Sequence, residues 1–198
     1  MITFTGELSE PTASIMKFYK SAVDVGEISA DACCISTISK DNIPDSRFVN
    51  IKYIQENELI FFTNYNSKKS KNILFNKNAS LVFFWKNINV QIRMLGKIKK
   101  TSDKFSDLHF KDRSFEKNIV AIISDQSSEA KNYEEINNKY KRALAHFNKD
   151  SISRPDYWGG FSFSFYKLEI WKGSETRLNE RNLYEKLENG WTCKTLQP

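Results

Sequence analysis

Short runs of alternating apolar and polar residues, rich in aromatic and β-branched side chains, dominate this sequence. Such runs favour half-buried β-strands, because successive side chains on a strand point to opposite faces of the sheet. Polar stretches typical of turns separate the runs, for example residues 40–44 and 55–57. The pattern predicts strands at 32–39, 46–54, 58–63, 79–85, 89–99, 160–171, 182–187 and 191–196. We therefore expect a β-rich (α+β) protein whose strands, about seven or eight in number, wrap into one barrel.

Helical spacing is confined to a few segments. Ile15, Tyr19 and Ala22 recur on one helical face, with Ser9 as the predicted N-cap and Gly26 as the predicted stop. Further helices are predicted at 67–75, at 103–124 in two pieces, and at 133–147, the last two lying outside the barrel. The sequence lacks both an alternation of strands with helices and a glycine-rich fingerprint, which argues against a dinucleotide-binding doubly wound fold.

Length and composition predict a single domain over 1–198 that begins with a short N-terminal arm at 1–8. The formal net charge of +6 is compatible with a nucleic-acid surface, an anionic ligand or simple solubility. The three cysteines have no metal-ligand spacing, and an odd number that includes an adjacent pair is a poor disulfide framework. They therefore predict a reducing compartment, the cytoplasm. The chain shows neither an export signal nor a membrane-spanning run, so we expect a cytoplasmic protein.

A basic cluster is the first candidate site. Arg47 and Lys52 lie on one predicted strand, and Ser67, Lys68 and Lys69 open a predicted helix. Cations beside a helix N-terminus suit a phosphate, because the free backbone N–H groups and the helix dipole both favour an anion. A solvated basic surface explains the same spacing. Since Arg47 and Lys52 differ by five positions, a regular strand would point them to opposite faces, so a bulge or a dimer interface must reconcile them.

Three further segments stand out, and a purely structural role explains each of them as well. Residues 125–128 could bond a ligand through amides and hydroxyls, or could simply end a helix. Residues 157–160 suggest a tight bend into a strand. Arg177 and Arg181 are suited to phosphate or carboxylate, or to surface ion pairs. Neither histidine belongs to a metal-binding pattern, and no nucleophile elbow is present, so a metal site and covalent hydrolysis are not predicted.

Taken in order, these segments resemble the pyridoxamine 5'-phosphate oxidase family from about Pro11 to the C-terminus. The motifs that carry the resemblance are RFVNIK at 47–52, FFTNYNSKK at 61–69, VQIR at 90–93, SDQSS at 124–128, WGG at 158–160, EIW at 169–171, RLNER at 177–181 and LQP at 196–198. The resemblance implies an FMN-binding split β-barrel with peripheral helices. It also implies a homodimer with flavin mononucleotide (FMN) at the subunit interface.

The resemblance assigns FMN contacts to residues from six segments. Arg47, Lys68 and Lys69 correspond to phosphate ligands, and Phe62 and Thr63 to the strand that lines the flavin. The remaining cofactor contacts implied are Ser67, Gln91, Gln126, Ser127, Trp171 and Arg181. The family usually has Arg where this chain has Lys68, which keeps the charge but loses the bidentate fork.

The substrate side departs further from the family pattern. Lys52, His109, Arg113 and Lys117 correspond to the substrate-phosphate ligands, of which Lys52 and Arg113 match the family and His109 and Lys117 do not. Arg177 and Asn179 correspond to catalytic positions over the substrate ring, and Asn179 replaces a His. Asn can form hydrogen bonds but cannot exchange a proton near neutral pH.

The resemblance implies oxidation of pyridoxamine or pyridoxine 5'-phosphate to pyridoxal 5'-phosphate, with hydride passing to the flavin and O2 reoxidising it. One alternative keeps FMN and changes the substrate, as in phenazine-biosynthesis oxidases. Another is a non-catalytic flavin or phosphate-ligand carrier, or a basic nucleic-acid binder. Basic and aromatic residues are interleaved but match no recognised nucleic-acid motif, so we expect no nucleic-acid partner and no membrane partner.

Overall fold

The computed structural model describes residues 1–198, and all ten strands belong to one curled sheet. The strands are β1 (Thr3–Thr5), β2 (Ala32–Ile38), β3 (Pro44–Asn50), β4 (Tyr53–Gln55), β5 (Glu58–Asn64), β6 (Asn78–Trp85), β7 (Val90–Lys100), β8 (Trp158–Lys172), β9 (Glu180–Leu187) and β10 (Gly190–Thr195). The helices are α1 (Glu10–Asp24), α2 (Lys68–Phe75), α3 (Asp103–Asp112), α4 (Phe115–Ile123) and α5 (Tyr133–His146). No helix is both long enough and apolar enough to cross a membrane. The prediction of a β-rich barrel with peripheral helices is confirmed.

The long strand β8 organises the sheet. Its first half pairs with β5, its second half pairs with β9, and β7 runs antiparallel along nearly all of it. The main path of the sheet is β1-β4-β5-β8-β7-β6-β2-β3, and the hairpin of β9 and β10 branches from β8. Residues at the two ends of β8 are therefore held apart by the full length of one strand.

The core fills the inside of the curled sheet with aromatic and aliphatic side chains. Phe61, Phe83, Phe161 and Phe163 are fully buried there. Helix α1 packs on the same core, and its Tyr19 hydroxyl accepts a hydrogen bond from the backbone N–H of Ile2 at 2.8 Å. The predicted amphipathic face of α1 is thus the buried one.

A smaller apolar cluster joins α3 and α4 to the start of β8. Its buried members are Phe110, Ala121 and Trp158. Arg154 reinforces this junction, because its guanidinium donates to Asp103 and Asp107 of α3 at 2.9 and 2.6 Å and to the Trp158 carbonyl at 2.7 Å. Helix α3 is consequently fixed in position over one end of the barrel.

Three sequence-based expectations are corrected. The single strand predicted at 46–54 is two strands, β3 and β4, because the chain leaves the ladder at Ile51 and Lys52. Strand β1, which pairs in parallel with β4, was not predicted, since three residues carry too little periodicity. The bend predicted at 157–160 is confirmed only at Tyr157, because the turn ends there and residues 158–160 already lie within β8. A Cβ on Gly160 would stand 2.5 Å from Thr101 Oγ1. Glycine is required there for close packing.

Candidate active site

A cavity of about 600 Å³ opens between the β3–β5 side of the sheet and helices α3 and α4. It falls within the range of roughly 300–1,000 Å³ common for small-molecule sites. The predicted site residues that line it are Lys52, Phe62, Thr63, Lys69, His109, Arg113, Lys117 and Gln126. All four predicted substrate-phosphate residues therefore face the same cavity as four of the predicted FMN contacts.

Lys69 is a buried cation held only by neutral acceptors. Its Nζ lies 3.0 Å from Thr63 Oγ1, 3.3 Å from Ser67 Oγ and 3.3 Å from Gln126 Oε1. Burial, with a smaller contribution from the charge of Arg47, lowers the pKa of Lys69 to about 8. Because no carboxylate pairs with it, the ammonium remains available to an anion or to an electron-rich ring.

The turn after α4 reaches this cation from outside the sheet. Gln126 Oε1 accepts a hydrogen bond from Thr63 Oγ1 at 2.9 Å, and Ser127 Oγ accepts one from the Lys68 backbone N–H at 3.3 Å. Ser127 has a φ of 76°, the left-handed conformation that reverses the chain here. The segment at 125–128 thus ends a helix and also brings Gln126 and Ser127 to the start of α2.

Arg47 and Lys68 meet at one carboxylate. Asp45 Oδ2 lies 2.6 Å from Arg47 Nη2 and 3.1 Å from Lys68 Nζ. Partial burial alone would raise the pKa of Asp45, but the hydrogen bond from Lys68 and the charge of Arg47 outweigh it and lower that pKa. Arg47 Nη1 also donates to Thr37 Oγ1 at 2.7 Å. Two cations from β3 and α2 therefore converge next to Lys69.

His109 lies in an aromatic layer on the wall of the cavity. Its ring stacks on Phe62 with centroids 3.6 Å apart, and its Nδ1 shares a 3.0 Å hydrogen bond with the Tyr53 hydroxyl. Burial, together with the charges of Arg113 and Lys52, lowers the pKa of His109 to about 4. The imidazole is accordingly neutral near pH 7 and can offer a hydrogen bond without a charge.

Arg113 presents an unsatisfied donor beside this layer. Its guanidinium carbon lies 4.4 Å above the Trp158 ring, and Nη2 donates to the Lys117 carbonyl at 3.1 Å. Nη1 is buried and has no hydrogen-bond partner. Burial lowers the pKa of Arg113 to about 10, which leaves it charged at neutral pH. A buried N–H without a partner is costly, and an anion in the cavity would satisfy it.

The two remaining lysines differ in their partners. Lys52 binds Asp31 at 2.7 Å, whereas Lys117 is exposed and forms no ion pair. Lys52 lines the cavity together with Phe48 and Asn50, which stand four and two positions before it, as alternation along a strand predicts. Arg47 itself does not line the cavity, and its positive charge contributes to the lowered pKa of Lys69.

The other predicted site residues lie at the opposite end of β8. Gln91, Trp171 and Arg181 form one row across β7, β8 and β9, since Gln91 pairs with Trp171 and Trp171 pairs with Arg181. Thr63 pairs with Gly159, twelve positions before Trp171, which corresponds to roughly 40 Å along the strand. One subunit therefore does not bring the row to its own cavity.

The loop between β8 and β9 carries the predicted catalytic pair. Arg177 is exposed, with a φ of 61°, and its side chain forms no ion pair or hydrogen bond. Asn179 Oδ1 accepts a hydrogen bond from the Ser174 backbone N–H at 3.1 Å. Neither residue lines the cavity of its own subunit.

Two residues of the site were not singled out from the sequence. Asp45 was detectable in principle, because residues two apart on a strand share a face and Arg47 was already a candidate. Tyr53, which bonds His109, had no such signal, because its partner is 56 positions away.

Comparison with known proteins identifies the family. Residues 22–147 match the family model described as pyridoxamine 5'-phosphate oxidase, and residues 158–198 match the pyridoxine 5'-phosphate oxidase C-terminal dimerisation region. The chain belongs to the pyridoxamine 5'-phosphate oxidase family. A pyridoxine/pyridoxamine 5'-phosphate oxidase of Leptospira biflexa is 35% identical over 96% of this chain and 89% of its own length. One from Dichelobacter nodosus is 32% identical over 96% and 90%.

Solved structures of pyridoxamine 5'-phosphate oxidase relatives share the fold. PhzG from Burkholderia lata, in complex with tetrahydrophenazine-1-carboxylic acid, has a TM-score of 0.90 at 25% identity, covering 96% of this chain and 93% of PhzG. An FMN-binding protein from Nostoc punctiforme, related to pyridoxamine 5'-phosphate oxidase, has a TM-score of 0.73 at 14% identity over 94% of each chain. The predicted split-barrel fold and the prediction of an oxidoreductase of this family are confirmed.

Proposed function

We propose that this protein is an FMN-dependent oxidase that converts pyridoxamine or pyridoxine 5'-phosphate to pyridoxal 5'-phosphate, with O2 as the electron acceptor. The observation that carries the proposal is the shared cavity. Lys52, His109, Arg113 and Lys117 line it together with Phe62, Thr63, Lys69 and Gln126. A phosphorylated substrate and a flavin would therefore meet in one place.

Arg113 is the central ligand for the substrate phosphate. Its buried Nη1 lacks a partner, and the Trp158 ring holds the guanidinium plane from below. Lys117 and Lys52 add two cations to the same cavity. His109, being neutral, contributes a hydrogen bond rather than a charge. Charge-assisted hydrogen bonds of this kind fix both the position and the orientation of a phosphate.

The residues around Lys69 and the start of α2 fit FMN. Arg47 and Lys68 supply cations at the start of α2, while Lys69, Thr63 and Gln126 supply polar groups that approach from one wall. When bound, FMN would supply the two-electron acceptor, so the chain itself needs no nucleophile. Phe62 and His109 would shield the reacting face from water, and Asn179 would form hydrogen bonds without transferring a proton.

We further propose that two subunits complete each site. Gln91, Trp171 and Arg181 lie at the far end of β8 from the cavity, and Trp171 and Arg181 belong to the residues 158–198 that match the dimerisation region. In a homodimer with twofold symmetry, this row and the loop with Arg177 of one subunit would serve the cavity of the other. The separation of the two groups within one chain supports this arrangement.

A second candidate is oxidation of a different substrate by the same cofactor. His109, Lys117 and Asn179 depart from the family pattern at the substrate positions, and PhzG, whose structure contains tetrahydrophenazine-1-carboxylic acid, has a TM-score of 0.90 to this chain. A carboxylate could use the cations that we assign to the phosphate. The two candidates differ only in the substrate.

Steady-state oxidation by FMN-loaded protein tests the proposal. We expect turnover of pyridoxine 5'-phosphate, no turnover of unphosphorylated pyridoxine at equal concentration, and a large rise in KM for Arg113→Met. Arg142→Met on the exposed face of α5 is the matched control and should leave KM unchanged. Turnover of tetrahydrophenazine-1-carboxylic acid alone would favour the second candidate. Failure to acquire a flavin spectrum with added FMN would reject both.

A further inference from the structure

Asp45 is a carboxylate inside the basic set that we assign to the cofactor phosphate. A single oxygen, Oδ2, contacts Arg47 at 2.6 Å and Lys68 at 3.1 Å. These two cations come from different elements, β3 and the first turn of α2. No other carboxylate forms an ion pair with Arg47, Lys68 or Lys69. Asp45 therefore already neutralises part of the charge that an incoming phosphate would use.

We infer that Asp45 competes with the FMN phosphate for Arg47 and Lys68 and thereby weakens cofactor binding. This inference rests on the proposed function, since it assumes that FMN is the ligand. Asp45 would then set the affinity of this chain for FMN relative to flavins without a phosphate. A fixed negative charge beside a bound dianion opposes binding through direct repulsion, and it also occupies the donors that the dianion needs.

The alternative role, in which Asp45 positions the cations, has less support from the contacts. Arg47 is held independently, because its Nη1 donates to Thr37 Oγ1 at 2.7 Å and to the Ile35 carbonyl at 3.4 Å. The Lys68 side chain is 69% exposed and has no other ion-pair partner. Removing the carboxylate should leave Arg47 in place and release Lys68 to bind a phosphate.

The Asp45 carboxylate remains charged at neutral pH. Lys68 and Arg47 lower the pKa of this carboxyl below its ordinary value, in spite of partial burial. The side chain is 29% exposed, so added salt should screen its effect in part. Competition by Asp45 should consequently be strongest at low ionic strength.

Equilibrium titration of the apoprotein with FMN and with riboflavin, followed by quenching of flavin fluorescence, tests the inference. For Asp45→Asn we expect the Kd of FMN to fall by about tenfold, corresponding to ~1.4 kcal/mol, and the Kd of riboflavin to stay unchanged. Asp41→Asn removes the same charge from an exposed turn residue that forms no ion pair, so it should leave both constants unchanged. Asp45→Ser provides a second variant if Asp45→Asn folds poorly.

Each outcome has a distinct meaning. Unchanged or weaker FMN binding in both Asp45 variants, with normal binding by the wild type, would overturn the inference and leave the proposed function standing. Equal tightening of riboflavin would also overturn it, because riboflavin has no phosphate. If neither the wild type nor the variants bind FMN, the proposed function fails and this inference fails with it.

Discussion

The imidazole of His109 lies flat against the phenyl ring of Phe62, with centroids 3.6 Å apart and planes 11° apart. Tyr53 approaches the same imidazole edge-on and shares a hydrogen bond with Nδ1. Aromatic neighbours on several sides remove water from the ring, and two nearby cations repel a proton. The layer therefore keeps a histidine neutral in a cavity otherwise dominated by positive charge.

Acid should destabilise the protein partly through His109. Its pKa is about 4 in the folded chain, against 6.5 when solvated, so the unfolded state binds the proton first. The stabilisation is complete above about pH 6.5 and is lost as pH falls towards 4. Urea unfolding of the apoprotein at several pH values should show a smaller loss of free energy for His109→Phe over this window. His146→Gln, at an exposed position on α5, should behave like the wild type.

FMN affinity should depend on pH through Lys69. Because the pKa of Lys69 is about 8, the side chain is charged below that pH and increasingly neutral above it. We expect the Kd for FMN to rise above pH 8, by at most about tenfold per pH unit. Lys69→Met should bind FMN more weakly at pH 7 and lose this dependence. Lys68→Met should retain the pH dependence. A wild-type Kd for FMN that does not change above pH 8 would contradict the role given to Lys69.

Gly159 should not tolerate a side chain. A Cβ at this position would overlap the Tyr65 hydroxyl and stand 2.8 Å from the ring carbon that bears it. Gly159→Ala should lower the free energy of unfolding by about 1–3 kcal/mol, as overpacking in a core does. Adding Tyr65→Phe should restore part of this loss in a double-mutant cycle. A stable Gly159→Ala single variant would show that the sheet relaxes here.

Arg154 should stabilise the position of α3, which carries His109. Its side chain is 7% exposed and joins two aspartates of α3 to the Trp158 carbonyl. Arg154→Met should cost about 1–3 kcal/mol in unfolding free energy and should raise the KM for pyridoxine 5'-phosphate more than it lowers kcat. Arg154→Lys keeps the charge but loses the fork, so it should be intermediate. An unchanged KM would show that the contacts of Arg154 with α3 do not affect substrate binding.

Mixed dimers should reveal whether two subunits share a site. Lys69→Met removes a cavity residue, and Arg177→Asn changes the far loop at a left-handed position that Asn tolerates. At an FMN concentration that saturates the wild type but not Lys69→Met, each variant alone should have little activity. After subunit exchange, half of the dimers are mixed and each contains one intact site, so about a quarter of the wild-type activity should return. Exchange without recovery of activity would place the whole site within one chain.

Much of the architecture was predictable, since alternation and helical spacing are local properties. The break of the helical segment near Arg113 and the closing hairpin around Glu188 and Asn189 both appear where the pattern placed them. The break between β3 and β4 was not predictable, because residues 46–54 remain β-favouring throughout and only pairing with different partners divides them.

The sequence by itself determined the class of fold, the family motifs and the chemical types available at the site. Only the tertiary structure decided which of them meet. The four residues predicted to bind the substrate phosphate share one cavity, Asp45 forms ion pairs with Arg47 and Lys68, and the row through Trp171 lies a strand's length away. The physical reason is that strand pairing and helix packing join residues far apart in the chain. Burial and neighbouring charge, which set the pKa values of Lys69 and His109, exist only after that packing.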